Sequence, residues 1–323
     1  MRKTKEKIVK KTGRVVIVGR PNAGKSTLLN NIFGQKVAIT SPKPQTTRRN
    51  LTVPYSEARG EIFFVDTPGM FQKISDEVGR MVNKMPGKGV IGADILVYLV
   101  DLSRPKTEEE NKAIGLVRKS PAKKILAYNK IDKFGGRKQG FRPDYAFLEE
   151  EVDRVIAISA LKSTHLKGLL DLIFELLPEK KERENKEGDK EREEGKETGK
   201  DSEEREKQDS VAWEGLNKKE WIAELVREKA YLALRQELPY TVGVLVEEVE
   251  DKKKLIVVKA KLFTTSDRYK AMIVGKGGAM IKKIGSETRK ELELAWNRKV
   301  FLELRVETNR HWPQMLMGSS KLA

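Results

Sequence analysis

The chain of 323 residues contains no cysteine. That removes disulfides, thiolate catalysis and zinc-thiolate sites together. Its two histidines, His165 and His311, stand far apart and make a poor metal cage, so any metal is expected to be a hard ion on oxygen ligands. No stretch approaches the run of about eighteen apolar residues that a membrane-spanning helix needs, and the opening MRKTKEKIVKKTGR lacks the apolar core of a signal peptide. A soluble, intracellular, cytoplasmic protein is the expectation.

What is present in excess is positive charge. The formal net charge is +17, distributed as +6 over residues 1–14, +8 over 15–180, −4 over 181–210 and +7 over 211–323. Both expected folded parts are basic, which favours a polyanionic partner such as nucleic acid without requiring one. The length suits two domains.

From residue 14 to 177 short apolar runs alternate with amphipathic stretches. RVVIV (14–18), EIFFV (61–65), DILVYLV (94–100), KILAY (124–128) and RVIAI (154–158) read as strands buried on both faces of a mostly parallel sheet. Helical spacing over 108–119 and 165–177 places helices between them, an α/β domain with helices on both faces. Residues 181–210 contain no apolar side chain and cannot bury surface to offset their ordering entropy, so they read as a linker. Beyond it the periodicities predict a helix over 218–236, strands over 241–249 and 254–263, helices over 268–274 and 279–295, and a strand over 300–306. The expected division is a basic arm 1–13, a P-loop domain 14–180, a charged linker 181–216, an α+β domain 217–312 and a tail 313–323.

Residues 19–26, GRPNAGKS, fit G-x-x-x-x-G-K-[ST] directly after a predicted strand and before a helix. In that setting backbone N–H groups turn toward phosphates, Lys25 neutralises the β and γ oxygens and the Ser26 hydroxyl ligates Mg²⁺. A P-loop alone leaves ATP, GTP and small-molecule kinases open. Asp66-Thr-Pro-Gly69 ends the EIFFV strand, where the carboxylate can hold Mg²⁺ and the Gly69 N–H can sense a γ-phosphate. After the KILAY strand comes Asn129-Lys130-Ile-Asp132, whose Asp132 can accept from the N1–H and amine of guanine while Asn129 braces the loop. Ser159-Ala160 follows RVIAI, where a backbone N–H can meet guanine O6.

These stretches, with ITSPKPQTTRR (39–49), resemble the Era family of ribosome-assembly GTPases over about residues 14–312. The resemblance implies that Asn22, Ala23, Gly24, Lys25, Ser26 and Thr27 cradle the nucleotide with Asp66, Asn129, Lys130, Asp132, Ser159 and Ala160. It implies a metal site of Ser26, Thr47 and Asp66, with neighbouring Thr46 as an alternative to Thr47. Lys25, Thr47 and Gly69 are then the residues nearest the chemistry. Met70 occupies the place where Ras-type enzymes carry a water-orienting glutamine, and it can neither accept from nor donate to a water. Several relatives use potassium near the phosphates, held partly by an asparagine at the place of Asn22. The chain departs from the family at Met85-Pro-Gly87-Lys-Gly89, where helix breakers replace a more continuous helix, and in its longer linker.

A second glycine-rich loop, IVGKGGAMI (273–281), is not a second P-loop: no hydroxyl follows Lys276, and helices rather than a strand precede and follow it. It is either a structural helix-helix turn or an RNA-backbone clamp. Gly275-Lys276-Gly277-Gly278 within helix-strand-strand-helix-helix-strand resembles a type II KH domain, with Lys282 and Lys283 adding charge. The family resemblance implies single-stranded ribosomal RNA near the 3′ end of the small ribosomal subunit as partner, GTP and GDP as ligands, a monomeric chain and a peripheral membrane contact. Two rivals are an RNA-binding module that holds GTP without hydrolysing it, kept open by Met70, and an ATP-dependent kinase or motor, disfavoured by NKID.

Overall fold

The computed structural model describes residues 10–38, 50–69, 84, 86–134, 142–179, 218–235 and 238–318. The readings for Thr46, Thr47, Met70, Met85, the linker 181–216 and tail residues 319–323 lie outside them. Among the described residues no helix is long and apolar enough to cross a membrane.

The first domain is a six-stranded sheet in the order β2-β3-β1-β4-β5-β6. Its strands are β1 (Lys11–Val18), β2 (Leu51–Glu57), β3 (Gly60–Asp66), β4 (Ile95–Asp101), β5 (Lys123–Asn129) and β6 (Arg154–Ala157). All pairings are parallel except β2 with β3. Because side chains alternate along a strand, β1 sends Val15 and Ile17 into one core and Val16 and Val18 into the other. Helices α1 (Lys25–Phe33) and α3 (Leu166–Leu176) cover the first face with Leu28, Leu29, Leu169 and Ile173, and α2 (Glu108–Lys119) covers the second with Ala113, Ile114 and Val117. This is the doubly covered, mostly parallel sheet expected from the alternating runs.

Three features correct the reading from sequence. Strand β1 begins at Lys11, so residues 11–13 belong to the sheet and not to a basic arm; Lys11 aligns with Gly60 and bridges to Glu179. The antiparallel strand β2 was hidden by Pro54, which is tolerated because β2 is an edge. Residues 86–90 are helical despite Pro86, Gly87 and Gly89. A Cβ on Gly89 would fall 2.9 Å from Asn50 Nδ2 and 3.0 Å from Thr67 Cγ2, so glycine there lets this turn lie against the strand-end motif.

The second domain runs α4 (Lys218–Ala233), β7 (Gly243–Lys252), β8 (Leu255–Thr264), α5 (Asp267–Val274), α6 (Ala279–Trp296), β9 (Val300–Thr308) and α7 (Trp312–Gly318). Its sheet order is β7-β8-β9, with β7 antiparallel and β9 parallel to β8. One face is covered by Trp221, Ile222, Leu225 and Val226 of α4 and Ile284 and Leu292 of α6. Helix α7, where the sequence suggested only a tail beyond 312, exists because Trp312 is buried over Gly243; a Cβ at that glycine would fall 2.4 Å from the indole ring. The two domains meet at Lys36, whose ammonium bonds Glu228 of α4 at 2.5 Å and also Glu291 of α6, and Glu291 pairs in turn with Lys229.

Candidate functional site

The expected nucleotide-site residues in the described part converge at the carboxyl ends of β1, β3, β5 and β6, the position at which open parallel sheets carry their ligands. The loop 19–24 links β1 to α1. Gly24 has φ +103, a left-handed conformation, and a Cβ there would fall 2.4 Å from Asn129 Nδ2. Non-glycine Asn22 is also left-handed, at φ 60. Ala23 N donates to the Arg20 carbonyl at 3.2 Å and closes the turn.

Asn129 joins three segments that are distant in sequence. Its Nδ2 donates to the Ala23 carbonyl at 2.7 Å, and its Oδ1 accepts from the Ala160 N–H at 2.8 Å. Both bonds are buried, so the amide orientation is fixed by donor and acceptor on opposite sides. The Ala160 carbonyl accepts from Asn31 Nδ2 of α1 at 2.6 Å, and Ser159 Oγ donates to Asp132 Oδ1. The loop carrying Asp132 is thus positioned by the Ser159-Ala160 loop, and that loop by the P-loop helix.

Ser26 Oγ donates to Asp66 Oδ2 at 2.6 Å. A hydroxyl and a carboxylate in contact are hard oxygen donors of the kind Mg²⁺ accepts beside phosphate oxygens, so the pair fits that ion. Thr67 Oγ1 donates to the Ile17 carbonyl at 2.7 Å and ties the DTPG loop to β1. Gly69 lies against the P-loop backbone: a Cβ would fall 2.6 Å from Pro21 N. The buried Lys25 ammonium donates to the Gly19 and Arg20 carbonyls at 2.9 Å each. Burial lowers it from the usual 10.5 to about 8, against Asp66 and Glu110, which favour its charged form.

Sequence reasoning missed a set of charges beneath this loop. Asp101, at the end of β4 and fully buried, accepts from Lys130 Nζ at 2.7 Å, Arg104 Nε at 2.7 Å and Ser103 Oγ at 2.6 Å. Burial by itself would raise its carboxyl; the bonds from Lys130 and Ser103 outweigh burial and hold it at about 2, while burial lowers Lys130. Arg20 is buried beside Glu110 of α2 at 2.9 Å, and Glu110 accepts from the Tyr98 hydroxyl. The available signal was position: a DxxR stretch at the carboxyl end of a strand, where the other motifs also lie.

The second glycine loop joins α5 to α6. Gly275, Gly277 and Gly278 have φ values of 74, 59 and 77. A Cβ on Gly275 would fall 2.8 Å from Met280 Cβ, whereas beside Gly277 and Gly278 there is nothing within 4 Å. Internal packing therefore explains Gly275; at the other two, the backbone conformation and the open approach from outside are what glycine provides. Gly278 caps α6, and Lys276, Lys282 and Lys283 are exposed around the loop. Ile273 and Ile284, flanking it, point into the core.

The family model described as a 50S ribosome-binding GTPase matches residues 14–130, and that of the KH domain matches residues 237–312. The chain is 34% identical over 304 residues to a GTPase Era of Thermotoga petrophila, covering 94% of this chain and 93% of the relative. A GTPase Era of Pseudomonas fluorescens is 34% identical over 302 residues, with 93% and 92% covered. Among solved structures, Era in complex with MgGDPNP and nucleotides 1506–1542 of 16S ribosomal RNA superposes with a TM-score of 0.77 at 30% identity, over 94% of this chain and 96% of that one. A point variant of Aquifex aeolicus Era bound to GDP and aluminium fluoride gives 0.74 at 31% identity, with the same coverages of 94% and 96%.

Proposed function

Since this chain belongs to the Era family of GTPases, we propose that it is a GTP-hydrolysing switch whose KH domain holds single-stranded ribosomal RNA near the 3′ end of the small subunit during that subunit's assembly. The observation that carries the reading is the Asn129 brace, which binds the P-loop at Ala23 and the base-reading loop at Ala160 into one unit. The solved relative holding a 16S fragment spans nearly the whole chain, whereas the family description that mentions the large subunit concerns the first domain alone; this favours the small subunit.

In this reading the backbone N–H groups of the Asn22–Thr27 stretch and the Lys25 ammonium hold the β- and γ-phosphates. Ser26 and Asp66 hold Mg²⁺ together with Thr47, and the ion, when bound, draws charge from the phosphate oxygens. Asp132 selects guanine through N1–H and the amine; the Ala160 N–H is bonded to Asn129 Oδ1 rather than open to guanine O6 and so braces the base-reading loop, and Lys130 ties the Asn22 carbonyl to Asp101. The Gly69 N–H reports the γ-phosphate. Water adds to the γ-phosphorus, the bond to the bridging oxygen breaks, and GDP, inorganic phosphate and a proton result. Met70 cannot orient that water; a potassium ion, were one held by Asn22, would supply charge stabilisation to the transferring group. Gly275 to Gly278, with Lys276, Lys282 and Lys283, clamp the RNA backbone. The protein works in the cytoplasm as a monomer, and a membrane contact forms no part of this reading.

The test is turnover with Mg²⁺. GTP should be hydrolysed and ATP not, with loss of the activity in Lys25→Ala; binding without turnover would favour the non-hydrolysing rival. Equal rates in sodium and potassium at fixed ionic strength would remove the potassium assignment.

A further inference from the structure

The outer side of the P-loop is held by side chains carbonyl by carbonyl. Lys25 takes Gly19 and Arg20, Asn129 takes Ala23, and the two peptides between are held by cations: Arg104 Nη2 donates to the Pro21 carbonyl at 3.1 Å and Lys130 Nζ to the Asn22 carbonyl at 2.8 Å. Both cations also bond one atom, Asp101 Oδ2, each at 2.7 Å. The other oxygen of that carboxylate accepts from Ser103 N at 2.9 Å and Ser103 Oγ at 2.6 Å, which fixes its plane. The segment is closed from below by Arg20, whose guanidinium donates to the carbonyls of Asp101, Arg104 and Pro105.

We infer that Arg104 is a positioning residue for GTP hydrolysis, oriented by the Asp101 carboxylate to hold the Pro21–Asn22 peptide and thereby aim the Asn22 amide at the phosphates. The inference rests on the nucleotide reading of this loop. In a planar trans peptide the N–H lies opposite the C=O, so anchoring the Pro21 oxygen turns the Asn22 N–H to the other side. Asn22 needs such anchoring because its left-handed backbone at φ 60 is disfavoured for a residue with a side chain. The guanidinium suits the task because separate N–H groups of its rigid fork reach the two acceptors, Nε the Asp101 carboxylate and Nη2 the Pro21 carbonyl. Asp101 stays charged throughout the physiological range, so the anchor does not release with pH.

The experiment compares the full chain with Arg104→Lys, Asp101→Asn and the double variant in steady-state GTP turnover, with melting temperatures alongside. The Arg104 side chain is 44% exposed, so Arg104→Lys should fold normally. It keeps an ion pair with Asp101 and loses the Pro21 bond. The expected result is a kcat about tenfold lower with KM changed less than about threefold, since misaimed donors cost most in the transition state, and an unchanged melting temperature. Asp101→Asn should lose at least as much, and the double variant no more than Asp101→Asn, because one residue acts through the other. Wild-type kcat in Arg104→Lys, a loss confined to KM, or losses that multiply in the double variant would each overturn the inference. Absence of GTP turnover in the wild-type chain would instead refute the GTPase reading on which it rests.

Discussion

Nucleotide affinity should fall with rising pH, and the slope can be worked from Lys25. In the free protein burial holds this ammonium at about 8. Phosphate oxygens that accept from it favour the charged form and restore it toward the ordinary lysine range. Binding then takes up a proton wherever the free lysine has lost one: about half a proton at pH 8, with affinity dropping roughly tenfold between pH 7 and pH 9. Restoring Lys25 from about 8 to the ordinary 10.5 corresponds to about 3 kcal/mol. Stability of the free chain has the opposite sign. Between about pH 8 and 10.5 the unfolded state binds more protons at this residue, so stability from Lys25 rises with pH across that window while nucleotide affinity falls. Calorimetric titration with GDP in two buffers of different ionisation enthalpy measures both affinity and proton uptake. Lys25→Arg, which does not titrate, should bind more weakly and show only the slope due to guanine itself. Constant wild-type affinity from pH 7 to 9, or an equal slope in the arginine variant, would refute the reasoning.

Asn129→Ala removes the bonds to the Ala23 carbonyl and the Ala160 N–H and leaves both groups unpaired, at about 1–3 kcal/mol each; GDP affinity should fall at least about tenfold by calorimetry. Lys36→Ala removes the first domain's cation from the boundary, leaves Glu228 and Glu291 with Lys229 of their own domain alone, and should lower the melting temperature by several degrees. Burial works against both groups there, yet the ion pairs raise Lys36 and lower Glu291. This bridge should therefore hold at neutral pH and weaken as pH falls below the ordinary glutamate range, so the variant's deficit should shrink in acid. Gly277→Asp places a carboxylate where the open side of the loop faces solvent; RNA binding should be lost in a gel-shift titration with basal GTP turnover kept.

The strands of the first sheet were legible because each is an apolar run of β-branched residues, and the nucleotide motifs because each follows its own strand. Strand β2 was not, since Pro54 breaks the pattern and only its edge position accommodates it. Glu110 belongs to the acidic first turn of α2, yet it is fully buried against Arg20 and Tyr98. A buried ion pair looks like surface charge until the partner, distant in sequence, is known. The same holds for Asp101 and Arg104, whose significance lies in carbonyls about eighty positions earlier. Gly277 and Gly278 were found by spacing, but only the empty space beside them separates an open clamp from a packed turn.

The most direct test of the central claim is crosslinking of the GTP-loaded protein to total cellular RNA with mapping of the sites. Contacts concentrated at the 3′ end of the small-subunit RNA, and lost in Gly277→Asp, are the expected result. Contacts scattered over messenger RNA, or unchanged in that variant, would contradict it.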